Sequence, residues 1–183
     1  MPADARATVS AERLELHLPD ESATRALGAA LAPALVPGLR VWLQGDLGAG
    51  KTALVRAVLR ALGFSGTVRS PTYTLVELYP VSRLNFYHLD LYRFEFHEEF
   101  IDAGLEECFG GDAVCFVEWP EKAESFLPPA DLVLRLSVDG PGRRVTIEAR
   151  SEKGQACLRR LARCLQAVRP PAGASSSAPD SPA

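Results

Sequence analysis

The eight residues GDLGAGKT at 45–52 constrain this chain more than any other feature. They stand between an apolar run, LRVWLQ, and a longer periodic run, ALVRAVLRAL. Gly, four residues, then Gly-Lys-Thr is the pattern of a phosphate loop, and the strand-before, helix-after context it requires is met. Gly45, Gly48 and Gly50 let the backbone curl, so that the N–H groups of the loop, those of Asp46, Leu47 and Ala49 included, turn toward phosphate oxygens. The helix that follows adds the positive end of its dipole. Lys51 is one of three lysines among seventeen arginines, and it falls where a cation reaches the β- and γ-phosphates. Thr52 brings a hydroxyl for Mg²⁺.

The flanking pattern alternates strand and helix. Leu14, Leu16 and Leu18 alternate with polar residues, as in a half-buried strand, and Asp20 to Ser22 offer N-cap chemistry for a helix carrying Leu27, Ala30 and Leu31. Gly63 is expected to end the helix after the loop. YTLVELY and LNFYHLDLYR read as an antiparallel pair, and HEEFIDAGLEECF as a helical stretch with Ile101 and Leu105 at helical spacing. AVCFVEW is continuously apolar, the pattern of a strand buried on both faces. DLVLRLSV and RRVTIEAR flank Asp-Gly-Pro-Gly, a hairpin signal, and a closing helix is predicted over 152–168. The fit is one domain over 11–168: a three-layer α/β/α, P-loop NTPase-like fold with a mixed parallel and antiparallel sheet. The first ten residues look loose, and the Pro/Ser-rich end at 169–183 reads as a disordered tail.

A phosphate loop needs a second acidic group near its metal, at the carboxyl end of a neighbouring buried strand. Glu118, closing AVCFV, is the natural candidate, with Trp119 beside it able to stack on a base or to lid the core. Asp90 ends another predicted strand and offers a carboxylate for positioning water, with His88 on the same face. The roles of His88, Arg69 and Arg93 stay open. Ser70 and Thr72 put hydroxyls in the loop after the phosphate-loop helix, where nucleotide-sensing switches lie. The only asparagine, Asn85, precedes Phe86, so the Asn-Lys-x-Asp device for guanine is absent and adenine is favoured.

Twenty basic and twenty-three acidic side chains give a net charge of −3, so any contact with nucleic acid is local or shared with a partner. No run approaches the roughly 20 apolar residues of a transmembrane helix, and the opening decapeptide lacks a signal-peptide core. Cys108, Cys115, Cys157 and Cys164 form no CxxC pair, which points to reduced, structural thiols in a cytoplasmic protein.

GDLGAGKT, SPTYTLVELY, HLDLYR and VEWPEK, in this order and spacing, closely resemble the TsaE (YjeE) family of small bacterial ATPases. The resemblance runs from about Leu14 to Arg150. It implies a role in making N6-threonylcarbamoyladenosine in tRNA. The partners it implies are a threonylcarbamoyl transferase (TsaD-like) and its inactive paralogue (TsaB-like), with tRNA met only through that complex. ATP hydrolysis, slow in isolation, would reset the complex between turnovers. By the same resemblance Lys51 and the loop glycines form the phosphate cradle, and Thr52 and Glu118 are the Mg²⁺ ligands. Trp119 lies beside the base, Asp90 serves hydrolysis, Ser70 and Thr72 sense nucleotide, and Glu121 lies near the sugar. Ala53 departs from a second threonine common in the family, which leaves the metal-binding hydroxyl of Thr52 in place. Two readings compete. A small nucleotide or metabolite kinase shares the loop, although no Arg/Lys-rich lid appears between 64 and 130. A non-hydrolysing adaptor would use ATP only as a switch for assembly.

Overall fold

A computed structural model describes residues 8–9, 12–81 and 84–168 of the chain. The tail predicted for 169–183 and most of the loose first ten residues lie outside the described residues. Eight strands form one sheet in the order β1-β2-β8-β7-β3-β6-β5-β4. They are β1 (Thr8–Val9), β2 (Arg13–Leu18), β3 (Arg40–Gln44), β4 (Val76–Val81), β5 (Leu84–Asp90), β6 (Val114–Glu118), β7 (Leu132–Asp139) and β8 (Gly142–Ala149). The centre is parallel: β3 pairs with β6 and β7, and β5 pairs with β6. The flanks are antiparallel, through β4–β5 on one side and β1–β2, β2–β8 and β7–β8 on the other. The mixed α/β sheet expected from the sequence is therefore the observed one.

Three helices, α1 (Glu21–Leu31), α2 (Lys51–Ala61) and α4 (Glu152–Val168), supply the layer on one face of the sheet. Asp20 caps α1 by accepting from the Ala23 N–H at 2.9 Å, and α1 lies so close to α2 that a Cβ on Gly28 would strike Ala57. Leu14, Leu31, Val41, Leu54, Phe86, Phe116 and Ile147 are buried between these helices and the sheet. Full burial of side chains of this size stabilises by roughly 1.5–3 kcal/mol each.

The opposite layer is smaller. Phe94, Phe100, Leu105, Ala123 and Leu127 pack on Leu89 and Val117, from segments with little helix. The helix predicted from HEEFIDAGLEECF is in fact a four-residue α3 (Glu99–Asp102) and a 3₁₀ turn, Leu105–Phe109, divided by Gly104 at φ 66°. The strand predicted from Tyr73 starts only at Val76, because Leu75 turns the chain at φ 65° and its N–H bonds the Pro71 carbonyl at 2.6 Å.

All four cysteines are free. Burial pushes the thiols of Cys115 and Cys157 up to about 12, which keeps them protonated and inert.

Candidate functional site

Parallel pairing brings the carboxyl ends of β3, β5 and β6 to one edge of the sheet, with Asp90 opposite Glu118 in register. The loop 45–50 leaves β3 there and enters α2. Gly45, Gly48 and Gly50 have φ of 138°, 79° and 105°, a region open chiefly to glycine, and a Cβ at Gly45 would collide with the Leu136 carbonyl. Lys51, the first residue of α2, is 4% exposed despite its charge. Its Nζ donates to the Gly45 carbonyl and, at 3.0 Å, to that of Asp46, and sits 3.8 Å from the Trp119 ring centroid. Burial lowers the Lys51 pKa, and the charges of Glu118, Glu121, Asp90 and Asp46 oppose that shift.

Two carboxylates face this lysine, and each is held differently. Glu118 Oε1 accepts from the Thr52 hydroxyl at 2.7 Å and lies 2.8 Å from His88 Nε2. Asp90 Oδ2 accepts from the hydroxyls of Ser70 and, at 3.0 Å, Thr72, while Oδ1 accepts from the Tyr92 N–H at 2.9 Å. Both carboxylates are 3% exposed, so each leaves water only because donors replace it. The Ser70 and Thr72 hydroxyl oxygens also stand 2.6 Å apart, and with one proton each they serve two of these three contacts at a time, which ties the 70–72 loop to the end of β5.

These groups surround a cavity of about 300 Å³ lined by Leu47, Gly48, Gly50, Lys51, Thr52, Ala53, Ser70, Thr72, Asp90, Tyr92, Glu118 and Trp119. A roomier cleft of about 560 Å³ lies at the amino ends of β5 and β6, and its charged groups among the described residues are the carboxylates of Glu107 and Asp112. Among the described residues, the only non-glycine residues at positive φ are Leu75 and Trp119. Both border the site: the Leu75 carbonyl accepts from the Asp90 N–H at 3.0 Å, and Trp119 lines the cavity.

The structure thus gathers the loop, Lys51, Thr52, Glu118, Asp90, Ser70, Thr72 and Trp119 at one place. Trp119 and Glu121, the two residues expected near base and sugar, have these surroundings. Trp119, expected beside a base, has its ring engaged by the lysine at the cation end, with the Tyr92 ring 5.0 Å away. Glu121 is exposed on the 3₁₀ turn Pro120–Lys122, outside the cavity lining, and reaches the site only through its charge on Lys51. Arg69 lies in a separate cleft with Glu77 and Tyr79, and Arg93 stacks over Tyr73 at 4.1 Å.

Sequence reasoning missed Arg143, whose Nη2 donates to the Gly48 carbonyl at 3.2 Å from the start of β8. It also left His88 unassigned. A spacing of two from Asp90 on a strand was the available signal for His88. Arg143 is 95 residues from its loop partner and carried none.

Thr52 and Glu118 are hard oxygen donors of the kind Mg²⁺ takes when phosphates and water complete its shell. Among the described residues no cluster of three or more His, Cys, Asp or Glu could hold a metal by itself, so a metal here needs such a co-ligand. No described helix is long and apolar enough to cross a membrane.

Fold and site together define a small α/β domain of the strand, glycine loop, helix type, with a hydroxyl–carboxylate pair at the carboxyl edge of its sheet. Residues 18–146 match the family model "Threonylcarbamoyl adenosine biosynthesis protein TsaE", and the chain belongs to that family. The TsaE protein of Haemophilus influenzae is 38% identical over 149 residues, covering 79% of this chain and 94% of that protein. The TsaE protein of Bacillus subtilis is 39% identical over 121 residues, covering 66% of this chain and 75% of that protein. The crystal structure of B. subtilis YdiB superposes with a TM-score of 0.71 at 28% identity, over 87% of this chain and 98% of that one.

Proposed function

We propose that this chain is a partner-dependent ATPase that serves tRNA threonylcarbamoyladenosine synthesis. The observation that carries the reading is the pairing of Thr52 with Glu118, 2.7 Å apart, behind a glycine loop whose lysine is buried against it. The loop N–H groups and the amino end of α2 form the phosphate cradle. On binding, Lys51 exchanges the carbonyls of Gly45 and Asp46 for β- and γ-phosphate oxygens, a better partner for a cation than a neutral carbonyl. Mg²⁺, held by Thr52 and Glu118, would neutralise charge between the β- and γ-phosphates. Trp119 then flanks the phosphate end. Asp90 orients the attacking water, and its bonds to Ser70 and Thr72 link that act to the 70–72 loop.

The exposed side chains of Leu47, Tyr73 and Tyr92 lie on or beside the cavity. A TsaD-like transferase and its TsaB-like paralogue would cover them and exclude water, so the isolated chain should turn over slowly. Phosphate release from ATP, measured alone and with the two partner proteins, tests this. Slow release that rises when the partners are added supports the reading. Fast release indifferent to partners removes partner dependence, and phosphoryl transfer to a nucleoside would make the chain a kinase. An Asp90 variant that binds ATP without hydrolysing it, yet supports repeated modification cycles, would make it an adaptor.

A further inference from the structure

Mutual geometry at Glu118 leaves one residue without a role. His88 is fully buried on β5, and its Nε2 lies 2.8 Å from Glu118 Oε1. A bond to a carboxylate requires the proton on Nε2, which in a neutral ring leaves Nδ1 an acceptor. Nδ1 is buried with no partner among the described residues. Packing alone does not account for such a ring, since an apolar side chain of similar size would fill the space without stranding a polar atom. Among the described residues, the one side-chain hydrogen bond His88 makes is to Glu118.

That bond differs from the other one Glu118 accepts. The Thr52 hydroxyl shares Oε1 and is free to rotate when its oxygen takes up a cation. His88 approaches from the sheet, where its own side chain is fully buried. No hydrogen bond among the described residues engages Oε2, the second carboxylate oxygen. We infer that His88 is a positioning residue: by donating Nε2–H to Oε1 it fixes the rotamer of Glu118 and presents Oε2 to the Mg²⁺ of a bound nucleotide. The inference rests on the nucleotide reading above and adds a residue to it. Partners of this kind behind a metal ligand typically matter about 10–100-fold in metal affinity.

The test titrates MgCl₂ into the full-length protein with ADP and reads the Mg²⁺ concentration at half-maximal binding, alongside ADP affinity in EDTA. His88→Phe should raise the Mg²⁺ midpoint about 10-fold or more and leave metal-free ADP affinity within about twofold. His88→Gln, whose amide nitrogen can stand near Nε2, should restore most of the loss, whereas His88→Asn, whose amide stands nearer Nδ1, should not. An unchanged midpoint in His88→Phe overturns the inference, as does an equal loss of metal-free affinity. If the Phe variant does not fold, the Gln and Asn variants decide, and equal midpoints in those two overturn it. A wild-type protein that binds no ADP with or without Mg²⁺ would overturn the nucleotide reading itself, and this inference with it.

Discussion

The two halves of the sheet treat charge in opposite ways. Along β6 and at the carboxyl end of β5 both faces are covered, and the polar groups at that edge, Lys51, His88, Asp90 and Glu118, are all under 5% exposed. Across β2, β8 and β7 one face packs on the helices and the other lies open to water. There Arg13, Arg135 and Arg150 converge on Glu148 at 3.5, 2.9 and 2.5 Å, and Arg144 meets Asp139 at 2.8 Å. The same kinds of charged side chain give a buried cluster in one half and a solvated lattice in the other. Burial decides which: low dielectric magnifies each interaction, and it makes an unpaired group costly.

The largest effect is expected at Asp90. Asp90→Ala should bind ATP nearly as the parent does and lose hydrolysis by about 10²-fold or more, because a water-orienting group acts mainly in the transition state. Glu118→Ala should instead weaken Mg²⁺-dependent ATP binding. Calorimetry with and without Mg²⁺, beside single-turnover hydrolysis, separates the two. Equal affinity losses in both would mean that the buried half works as one undivided cluster.

Next in size is Lys51. Lys51→Ala removes the cation nearest the phosphates, and a charge-assisted contact of that kind contributes roughly 1.5–3 kcal/mol, or about 10–100-fold in affinity. Trp119 can report it: in a Trp42→Phe background the remaining indole lies against Lys51, so ADP should change its fluorescence, and Lys51→Ala should abolish that change at equal ligand concentration. Unchanged affinity in a folded Lys51→Ala protein would refute the nucleotide assignment.

How much of this was readable in advance follows the same division. Continuous apolarity in Val114–Val117 announced a strand covered on both faces, and a carboxylate at its end was therefore suspect. Alternation of Leu14, Leu16 and Leu18 with polar residues announced a strand with one wet face. The glycine loop was legible because few sequences tolerate such backbone angles. Local pattern failed where a turn overrode it. Ile101 and Leu105 have helical spacing, but the left-handed Gly104 between them breaks the helix. Tyr73 to Leu75 look like a strand, yet Leu75 reverses the chain to place its carbonyl on Asp90. Arg143 and the orientation of Trp119 depend on tertiary placement, which no spacing encodes.

A smaller effect concerns the stability cost of keeping Lys51 buried. Because burial lowers its pKa below the usual 10.5, the unfolded chain holds this proton to higher pH than the folded one. Stability therefore rises with pH between the lowered folded value and 10.5, as the penalty for a buried cation disappears. Lys51→Met should lose nucleotide binding, remove that pH-dependent rise, and gain on the order of 1 kcal/mol at neutral pH. Thermal melts from pH 7 to 10 check it. A variant clearly less stable than the parent would show that the bonds to Gly45 and Asp46 outweigh desolvation.

The smallest effect belongs to the open half. Arg135 bonds Glu148, and with the charges of Arg150 and Arg13 it holds this carboxyl below its ordinary 4.5. A carboxylate whose folded pKa is lowered contributes stability that is whole above the unfolded value and lost as pH falls through the folded one. Glu148→Gln should therefore cost no more than about 1 kcal/mol at pH 7, since the arginines around it stay 46–52% exposed and water screens the pairs. Moderate salt should shrink that cost further. Urea melts at pH 7 and below pH 4 check the sign: parent and variant should differ at pH 7 and converge in acid. A loss of several kcal/mol at neutral pH would mean that Glu148 sits in an environment as dry as that of Glu118, and the contrast between the two halves would fail.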